Sequence, residues 1–326
     1  MRAIVVAPEG AILAERPMPE PQPNEVLVRV RAASLNRADL HVAAGHQHGR
    51  SGGMGSVIGI EWAGEVAAMG AQVPPHLLSV GDAVMCSGVG GYAEYACTDW
   101  GRVHRLPSGW TDFARASTLP IALQTSHDAI TASGAFRSGQ AVLVHGASSA
   151  VGLMAMQVAR LLGASQVLGS SGNEVRRRAL FGHGATSVVD SSRGDWSQQV
   201  LMATRQQGVD LVIDLVAGDT LSQSMLATRI GGRIVNVGRM GGFTGTFDFD
   251  LHSLRRLHYV GATFRTRSLD EVRQIACAMR ADLWSAVADG RLSLPLSRTF
   301  ALEDAAEALA HMRSNAHFGK LVLLVS

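Results

Sequence analysis

The spacing of hydrophobic residues divides the chain into three regions. In the first, residues 1 to about 121, short apolar runs alternate with glycine and polar residues, and the clearest runs predict strands at 3–7, 25–33 and 57–69. The last region, from about 265, combines amphipathic helical patterns with a final apolar run, predicted at 269–289, 302–312 and 321–325. Neither region has the strand–helix–strand spacing of a parallel sheet.

The middle region, residues 122–264, alternates buried apolar runs with segments of helical period. Strands are predicted at 141–144, 166–169, 187–190, 209–216, 233–237 and 259–264. Helices are predicted between them near 151–162, 174–181, 196–206 and 221–228. This order predicts an α/β fold with a doubly wound parallel six-stranded sheet. We expect the first and last regions to join into one module, with the active cleft between that module and the sheet.

The turn that opens the middle region carries the first functional signal. A buried strand ends in five small residues, 146–150, and a helical pattern follows them. Such a turn lets a pyrophosphate approach the backbone, and the helix N-terminus adds free N–H groups and a positive dipole. The usual glycine fingerprint is degenerate here, and an ordinary strand–helix unit gives the same pattern. The residues of this turn that we predict to bind a dinucleotide are Ala147, Ser148, Ser149, Ala150, Val151 and Gly152.

Composition excludes several other classes of protein. The 326 residues have a formal net charge of +2 and no large basic patch, which indicates neither a nucleic-acid nor a membrane-surface partner. Lys320 is the only lysine, which argues against a Schiff-base mechanism. The 3 cysteines are widely spaced, which favours reduced thiols in the cytoplasm over a disulfide framework or a zinc motif. No apolar run approaches the ~20 residues of a membrane span.

Several motifs outside the turn resemble one superfamily. Residues 59–73 follow the pattern G-x-E-x-x-G-x-x-x-x-x-G-x-x-V, and residues 80–84 read VGDAV. Both resemble the medium-chain dehydrogenase/reductase superfamily. The segment NRADL at 36–40 is similar to its zinc-free quinone oxidoreductase (zeta-crystallin-like) branch. Zinc alcohol dehydrogenases have metal ligands at the places of Asn36 and Ile60, so the resemblance implies no metal, with Glu61 as a buried polar anchor.

The resemblance implies a fold, a cofactor and a reaction. It implies a GroES-like β-rich substrate domain of residues 1–121 and 265–326, and a Rossmann NADPH-binding domain of residues 122–264. It also implies a homodimer that reduces a small quinone or an α,β-unsaturated carbonyl compound with NADPH. An enoyl-thioester or 2-enal reductase of the same fold stays open. So does a non-enzymatic NADPH-binding structural or RNA-binding crystallin-like protein.

A rival enzyme class shares the nucleotide fold. The short-chain dehydrogenases need a Tyr-x-x-x-Lys pair, and none of the 3 tyrosines has a lysine four residues later. The sequence therefore does not fit that class.

Two residues are candidates for catalysis. Without zinc, a donor must meet the negative charge that develops on the carbonyl oxygen. By resemblance, Asn36 lies near the nicotinamide and His41 stands where some relatives have a tyrosine. An amide can orient cofactor or substrate, and an imidazole can donate a proton near neutral pH. Ordinary loop roles stay open for both.

The end of the second strand of the sheet predicts the choice of cofactor. NAD enzymes place an acidic residue about 20 positions beyond the glycine turn, where it binds the ribose 2′-hydroxyl. Ser170 and Ser171 occupy that place here, which favours NADPH. Arg176 matches a basic family contact and can grip a phosphate with two hydrogen bonds, with Arg177 as the fallback. The other residues predicted to contact the cofactor are Thr125, Gly238, Arg239, Phe264 and Lys320.

Overall fold

The computed structural model describes all 326 residues. The strands are β1 (Arg2–Ala7), β2 (Gly10–Glu15), β3 (Glu25–Ser34), β4 (Glu61–Met69), β5 (Ala83–Ser87), β6 (Tyr95–Asp99), β7 (Val103–Arg105), β8 (Ala141–His145), β9 (Gln166–Ser170), β10 (Ser187–Val189), β11 (Val209–Asp214), β12 (Thr228–Asn236), β13 (His258–Gly261), β14 (Leu296–Ala301) and β15 (Lys320–Leu324). The helices are α1 (Arg37–Ala43), α2 (Phe113–Ala116), α3 (Pro120–Ile130), α4 (Ala150–Leu161), α5 (Glu174–Ala179), α6 (Trp196–Ala203), α7 (Leu221–Ala227), α8 (Phe249–Leu254), α9 (Leu269–Ala288) and α10 (Ala305–Arg313). The chain divides into two compact units, the first of Met1–Ile121 with Phe264–Ser326 and the second of Ala122–Thr263.

The first unit is built from both ends of the chain. Its large sheet has the strand order β14-β15-β3-β4-β5-β7, with β6 also paired to β3. The final strand, β15, pairs antiparallel with β3 through Val322 and Ser34. Trp62, Tyr92 and Leu321 are fully buried in the core that forms beneath these strands. The unit therefore needs residues from near the C-terminus to complete its central sheet.

The second unit is a parallel sheet with the strand order β10-β9-β8-β11-β12-β13. Residues 142–144 and 211–213 are continuously apolar and buried, as expected where helices cover both faces of a sheet. The strand order reverses between β8 and β11, which opens a crevice at the carboxyl ends of these two strands. The predicted doubly wound six-stranded sheet is confirmed.

Some details of the sheet differ from the prediction. The strand predicted at 233–237 is longer than expected: Gly231 and Gly232 lie inside β12, which begins at Thr228. Gly231 has φ 73°, and the pairing of β12 with β11 shifts register nearby. The apolar period alone does not show such an irregular start of a strand. None of the helices combines the length and the apolar composition that a membrane span requires.

Candidate active site

The turn between β8 and α4 is held together by Ser149. Its Oγ donates to the carbonyl oxygen of Gly146 at 2.9 Å and accepts from the N–H of Gly152 at 3.2 Å. This N-cap satisfies one of the free donors at the start of the helix. The Ser149 hydroxyl is therefore committed inside the turn.

Three backbone donors remain at this turn. The N–H groups of Ser148, Ala150 and Val151 have no hydrogen-bond partner within the protein. Free N–H groups and the dipole of the twelve-residue helix α4 together form an anion site. A β-carbon on Gly152 would lie 2.7 Å from the Cα of Ala147, so glycine is required for the helix to start this close to the turn. The residues present fit the pyrophosphate of a dinucleotide.

The end of β9 contains the two predicted serines in different roles. Ser170 is fully buried, and its Oγ accepts from the N–H of Gly146 at 3.1 Å. It faces the turn from inside the protein, which corrects the expectation of a phosphate contact. Ser171 lies 6% exposed, with its Oγ 3.4 Å from the Oγ of Ser148. Ser171 thus remains beside the anion site.

The arginines that follow on α5 differ in their partners. The guanidinium of Arg177 donates to the carbonyl oxygen of Ser171 at 2.8 Å and lies 3.1 Å from the carboxylate of Asp190. This engagement removes Arg177 as the fallback phosphate ligand. Arg178 is highly exposed and pairs with Glu174. Arg176 is half-buried on the same helix and stays the predicted phosphate contact.

Four further predicted contacts lie apart in the chain. Thr125 is half-buried on α3, and Arg239 is half-buried after β12. Gly238 donates its N–H to the carbonyl oxygen of Asp214 at 3.1 Å, and a β-carbon there would lie 2.4 Å from the carbonyl oxygen of Leu215. Close backbone packing therefore requires this glycine. Phe264 belongs to the first unit and is half-buried.

A buried ion pair dominates the polar groups of the first unit. The Nζ of Lys320 donates to the carboxylate of Glu61 at 2.5 Å, to the carbonyl oxygen of Leu35 at 2.8 Å and to the Oδ1 of Asn36 at 3.1 Å. An ammonium has three donors, so all of them are used. Lys320 is 3% exposed. It therefore has no free N–H for the cofactor contact that the sequence predicted.

The amide of Asn36 is oriented by this ion pair. Its Oδ1 faces the Lys320 ammonium, so its Nδ2 points to the Oε1 of Glu61 at 2.9 Å and to the carbonyl oxygen of Ser34 at 3.4 Å. The Oε2 of Glu61 accepts from the N–H of Ile121 at 2.9 Å. Both oxygens of Glu61 and both hydrogens of the Asn36 amide are thus engaged. His41, by contrast, is exposed near the end of α1, and its ring centroid lies 6.4 Å from that of His46.

Two buried residues of this cluster were missed by the sequence analysis. The Oδ2 of Asp39 accepts from the N–H of Asn36 at 2.7 Å and from the hydroxyl of Tyr92 at 2.8 Å. Burial raises the pKa of Asp39 to about 7, although these hydrogen bonds and Lys320 oppose the shift. The available signal was the spacing of Asn36 and Asp39, three residues apart at a helix start, which is typical of a capping box.

Comparison with known proteins places this geometry in a family. The model of the alcohol dehydrogenase GroES-like domain matches residues 22–108, and that of zinc-binding dehydrogenase matches residues 150–279. A quinone oxidoreductase of Lama guanicoe is 29% identical and covers 100% of this chain and 98% of its own length. A solved NAD-dependent alcohol dehydrogenase has a TM-score of 0.86 and 29% identity, with 100% of both chains covered.

A second kind of relative is much longer. A mycocerosic acid synthase-like polyketide synthase of Mycobacterium tuberculosis is 31% identical over 93% of this chain, which spans only 14% of that relative. Together, the comparisons and the fold show that the chain belongs to the medium-chain dehydrogenase/reductase superfamily, in its quinone oxidoreductase branch. It is an oxidoreductase of a family that binds a nicotinamide cofactor.

The donor groups of this chain do not fit the zinc in the name of the second model. Across all 326 residues, no group of three or more His, Cys, Asp or Glu side chains is placed to hold a metal ion. By the resemblance described above, Asn36 and Ile60 take the places of zinc ligands; the side chain of Ile60 has no donor atom, and Glu61 is committed to Lys320, Asn36 and Ile121. We therefore derive no step through a metal.

Proposed function

We propose that the protein is an NADPH-dependent reductase that transfers hydride to a quinone or an α,β-unsaturated carbonyl compound without zinc. The observation that carries this proposal is the closed ion pair of Glu61 and Lys320 beside Asn36. A plain alcohol needs its alkoxide stabilised, a task that zinc performs in many dehydrogenases. A quinone or enone is already electrophilic, so one hydrogen-bond donor is sufficient.

The second unit supplies the groups that would hold the cofactor. The N–H groups of Ser148, Ala150 and Val151 would bind its pyrophosphate, and Arg176 would bind the 2′-phosphate of NADPH. When bound, the cofactor supplies a hydride. No carboxylate stands at Ser170 and Ser171 to favour a ribose hydroxyl over a phosphate.

We place the proton donor at His41, because the Asn36 amide is fully engaged and the imidazole of His41 is exposed. The amide hydrogens of Asn36 already donate to Ser34 and Glu61, so a bond to substrate would displace one of them. Asn36 would instead contribute a polar side chain that is held in one orientation by its hydrogen bonds. The imidazole of His41 would pass a proton to the substrate oxygen.

Enoyl thioesters are a second substrate class. The match to a polyketide synthase supports this alternative. Anaerobic NADPH oxidation with quinones, 2-enals, enones and enoyl thioesters ranks these classes by kcat/KM. Efficient oxidation of simple alcohols with little turnover of the panel would contradict the proposal. Tight NADPH binding without any turnover would instead favour the non-enzymatic crystallin-like protein.

The cofactor preference has its own experiment. We expect Arg176→Ala to lower the NADPH-to-NADH ratio of kcat/KM by about 10- to 100-fold, the value of one charged hydrogen bond of roughly 1.5–3 kcal/mol. Arg178→Ala is the matched control, because Arg178 lies on the same helix and pairs with Glu174. A wild-type preference for NADH, or equal ratios in the wild type and Arg176→Ala, would contradict the assignment.

We also propose that the protein is a homodimer. The edge strand β13 has one unpaired side, and Phe249 and Leu254 on the preceding helix α8 are 78% and 68% exposed. An open edge beside exposed apolar side chains favours pairing with a second copy. Light scattering after gel filtration tests this: a dimer that dissociates in Phe249→Asp supports it, and a monomeric wild type contradicts it. The cytoplasmic location, indicated by three free cysteines, remains a prediction.

A further inference from the structure

A polar group that the proposed reaction does not use lies beneath the β8–α4 turn. His145 is the last residue of β8 and is 1% exposed. Its ring stacks on Trp196, with centroids 4.6 Å apart and an interplanar angle of 18°. Its Nδ1 lies 2.8 Å from the Oγ of Ser170. This buried ring directly precedes the β8–α4 turn and can influence the conformation of the turn through Ser170.

The hydrogen bonds around Ser170 favour one position for the ring proton of His145. The Oγ of Ser170 accepts from the N–H of Gly146, and the hydroxyl still has one hydrogen that needs an acceptor. The adjacent Nδ1 is its acceptor, so we assign the ring proton to Nε2. Burial lowers the pKa of His145 although the nearby Asp214 opposes the shift, and this direction favours a neutral ring that accepts at Nδ1.

Asp214 completes the group from the neighbouring strand. It ends β11 and pairs with His145 in the parallel register, which places both side chains on the same face of the sheet. Its Oδ1 accepts from the N–H groups of Val216 and Ala217 at 2.9 and 3.0 Å. The Oδ2 of Asp214 and the Nε2 of His145 are both buried, and neither has a hydrogen-bond partner. The Oδ2 of Asp214, an acceptor, and the Nε2–H of His145, a donor, thus lie at the ends of the adjacent strands β11 and β8.

We propose that Asp214, His145 and Ser170 form a buried relay that positions the β8–α4 turn for the pyrophosphate of the cofactor, an inference that rests on the proposed function. The relay holds the N–H of Gly146 inward, which leaves those of Ser148, Ala150 and Val151 for the ligand. It is not a nucleophilic triad, because Ser170 is fully buried. These are positioning residues.

The same group ties together the strand ends at the crevice. The carbonyl oxygen of Asp214 accepts from the N–H groups of Val237 and Gly238, which follow β12. Its carboxylate holds the turn that contains Ala217, whose φ of 57° is unusual for a residue with a side chain. The relay therefore links the ends of β8, β9, β11 and β12, where a dinucleotide binds in sheets of this type.

Two substitutions separate the hydrogen bond of His145 from its packing. His145→Phe keeps an aromatic ring on Trp196 and removes the acceptor of the Ser170 hydroxyl. His145→Asn places an amide oxygen near the position of Nδ1 and removes the stacking ring. We expect His145→Phe to weaken NADPH binding to the apoprotein about tenfold, with KM for NADPH raised and kcat nearly unchanged. We expect His145→Asn to bind within about threefold of wild type and to lose thermal stability instead.

A double variant and a measurement without cofactor complete the test. Ser170→Ala should match His145→Phe, and combining the two should add little. Amide exchange of residues 145–149 in the apoprotein should be faster in His145→Phe than in His145→Asn. Wild-type affinity and exchange in His145→Phe, or equal losses in both His145 variants, would overturn the relay. A wild type that binds neither NADPH nor NADH would overturn the proposed function, and the exchange measurement would still decide the relay.

Discussion

Glu61 in the first unit and Asp214 in the second are both completely buried carboxylates, but they are compensated differently. Glu61 meets an ammonium from a residue 259 positions away, an amide and a backbone N–H. Asp214 meets two backbone N–H groups that follow it by two and three residues. The Glu61 carboxylate is therefore stabilised by a charge from a distant part of the chain, whereas the Asp214 carboxylate is stabilised by the backbone of its own turn. We therefore expect a substitution in the Glu61 ion pair to lower the stability of the whole first unit. A substitution of Asp214 should disturb only the turn that follows β11.

The largest expected effect comes from removing the counter-charge of Glu61. Lys320→Met should lower the free energy of unfolding by roughly 3–5 kcal/mol, because it leaves a buried carboxylate without compensation. Thermal and urea unfolding measure the change. The double variant Lys320→Met/Glu61→Gln is the control and should recover part of the loss. A single variant as stable as wild type would show that the ion pair does not stabilise this unit.

The second effect is a pH dependence of stability in the first unit. The pKa of Asp39 is raised from 3.8 to about 7 in the folded protein, so protonated Asp39 favours the fold. This contribution is present below pH 4 and is lost as the pH rises to about 7, and it amounts to at most about 4 kcal/mol. The Tm of Asp39→Asn relative to that of wild type should therefore rise as the pH increases from 4 to 8. A difference that stays constant over this range would contradict the shift.

The smallest effect is expected at Asp214. Asp214→Ala should cost roughly 1–3 kcal/mol, because of its two N–H partners only that of Ala217 is fully buried. Asp214→Asn keeps an oxygen at the Oδ1 position and should lose less Tm than Asp214→Ala, with the remaining loss due to an amide NH2 that faces the Nε2–H of His145. If the asparagine variant were as unstable as the alanine variant, charge rather than hydrogen bonding would stabilise this turn, and the contrast with Glu61 would disappear.

The parallel sheet was predictable from sequence because its strands are buried on both sides. The runs at 142–144 and 211–213 are uninterrupted and apolar, and small residues mark the turn at 146–150. In the first unit, β2, β5, β6, β7 and β14 were not predicted individually, since short strands with distant partners lack a strong local pattern. The strand predicted at 57–69 begins only at Glu61, because Val57 forms an isolated bridge with Val5.

The candidate site was predictable at the backbone level and less so for side chains. The turn is local, so the sequence indicated its small residues and the start of α4. The partners of Lys320 and Ser170 lie 259 and 25 residues away, and no local pattern shows which strand will be the neighbour. Motif resemblance pointed to Lys320, and the distance from the glycine turn pointed to Ser170. Their hydrogen bonds depend on the three-dimensional neighbours that the fold brings together.

The pairing of β15 with β3 also has a consequence for biosynthesis. The second unit is one continuous segment and is complete when residue 263 has left the ribosome, whereas the first unit waits for the final strand. Until then Glu61 has no counter-ion and β3 has an open edge. Contacts between such distant residues form slowly, so we expect the nascent first unit to be the part exposed to chaperones and aggregation. Pulsed hydrogen exchange during refolding should protect amides of 122–263 before those of β3 and β4.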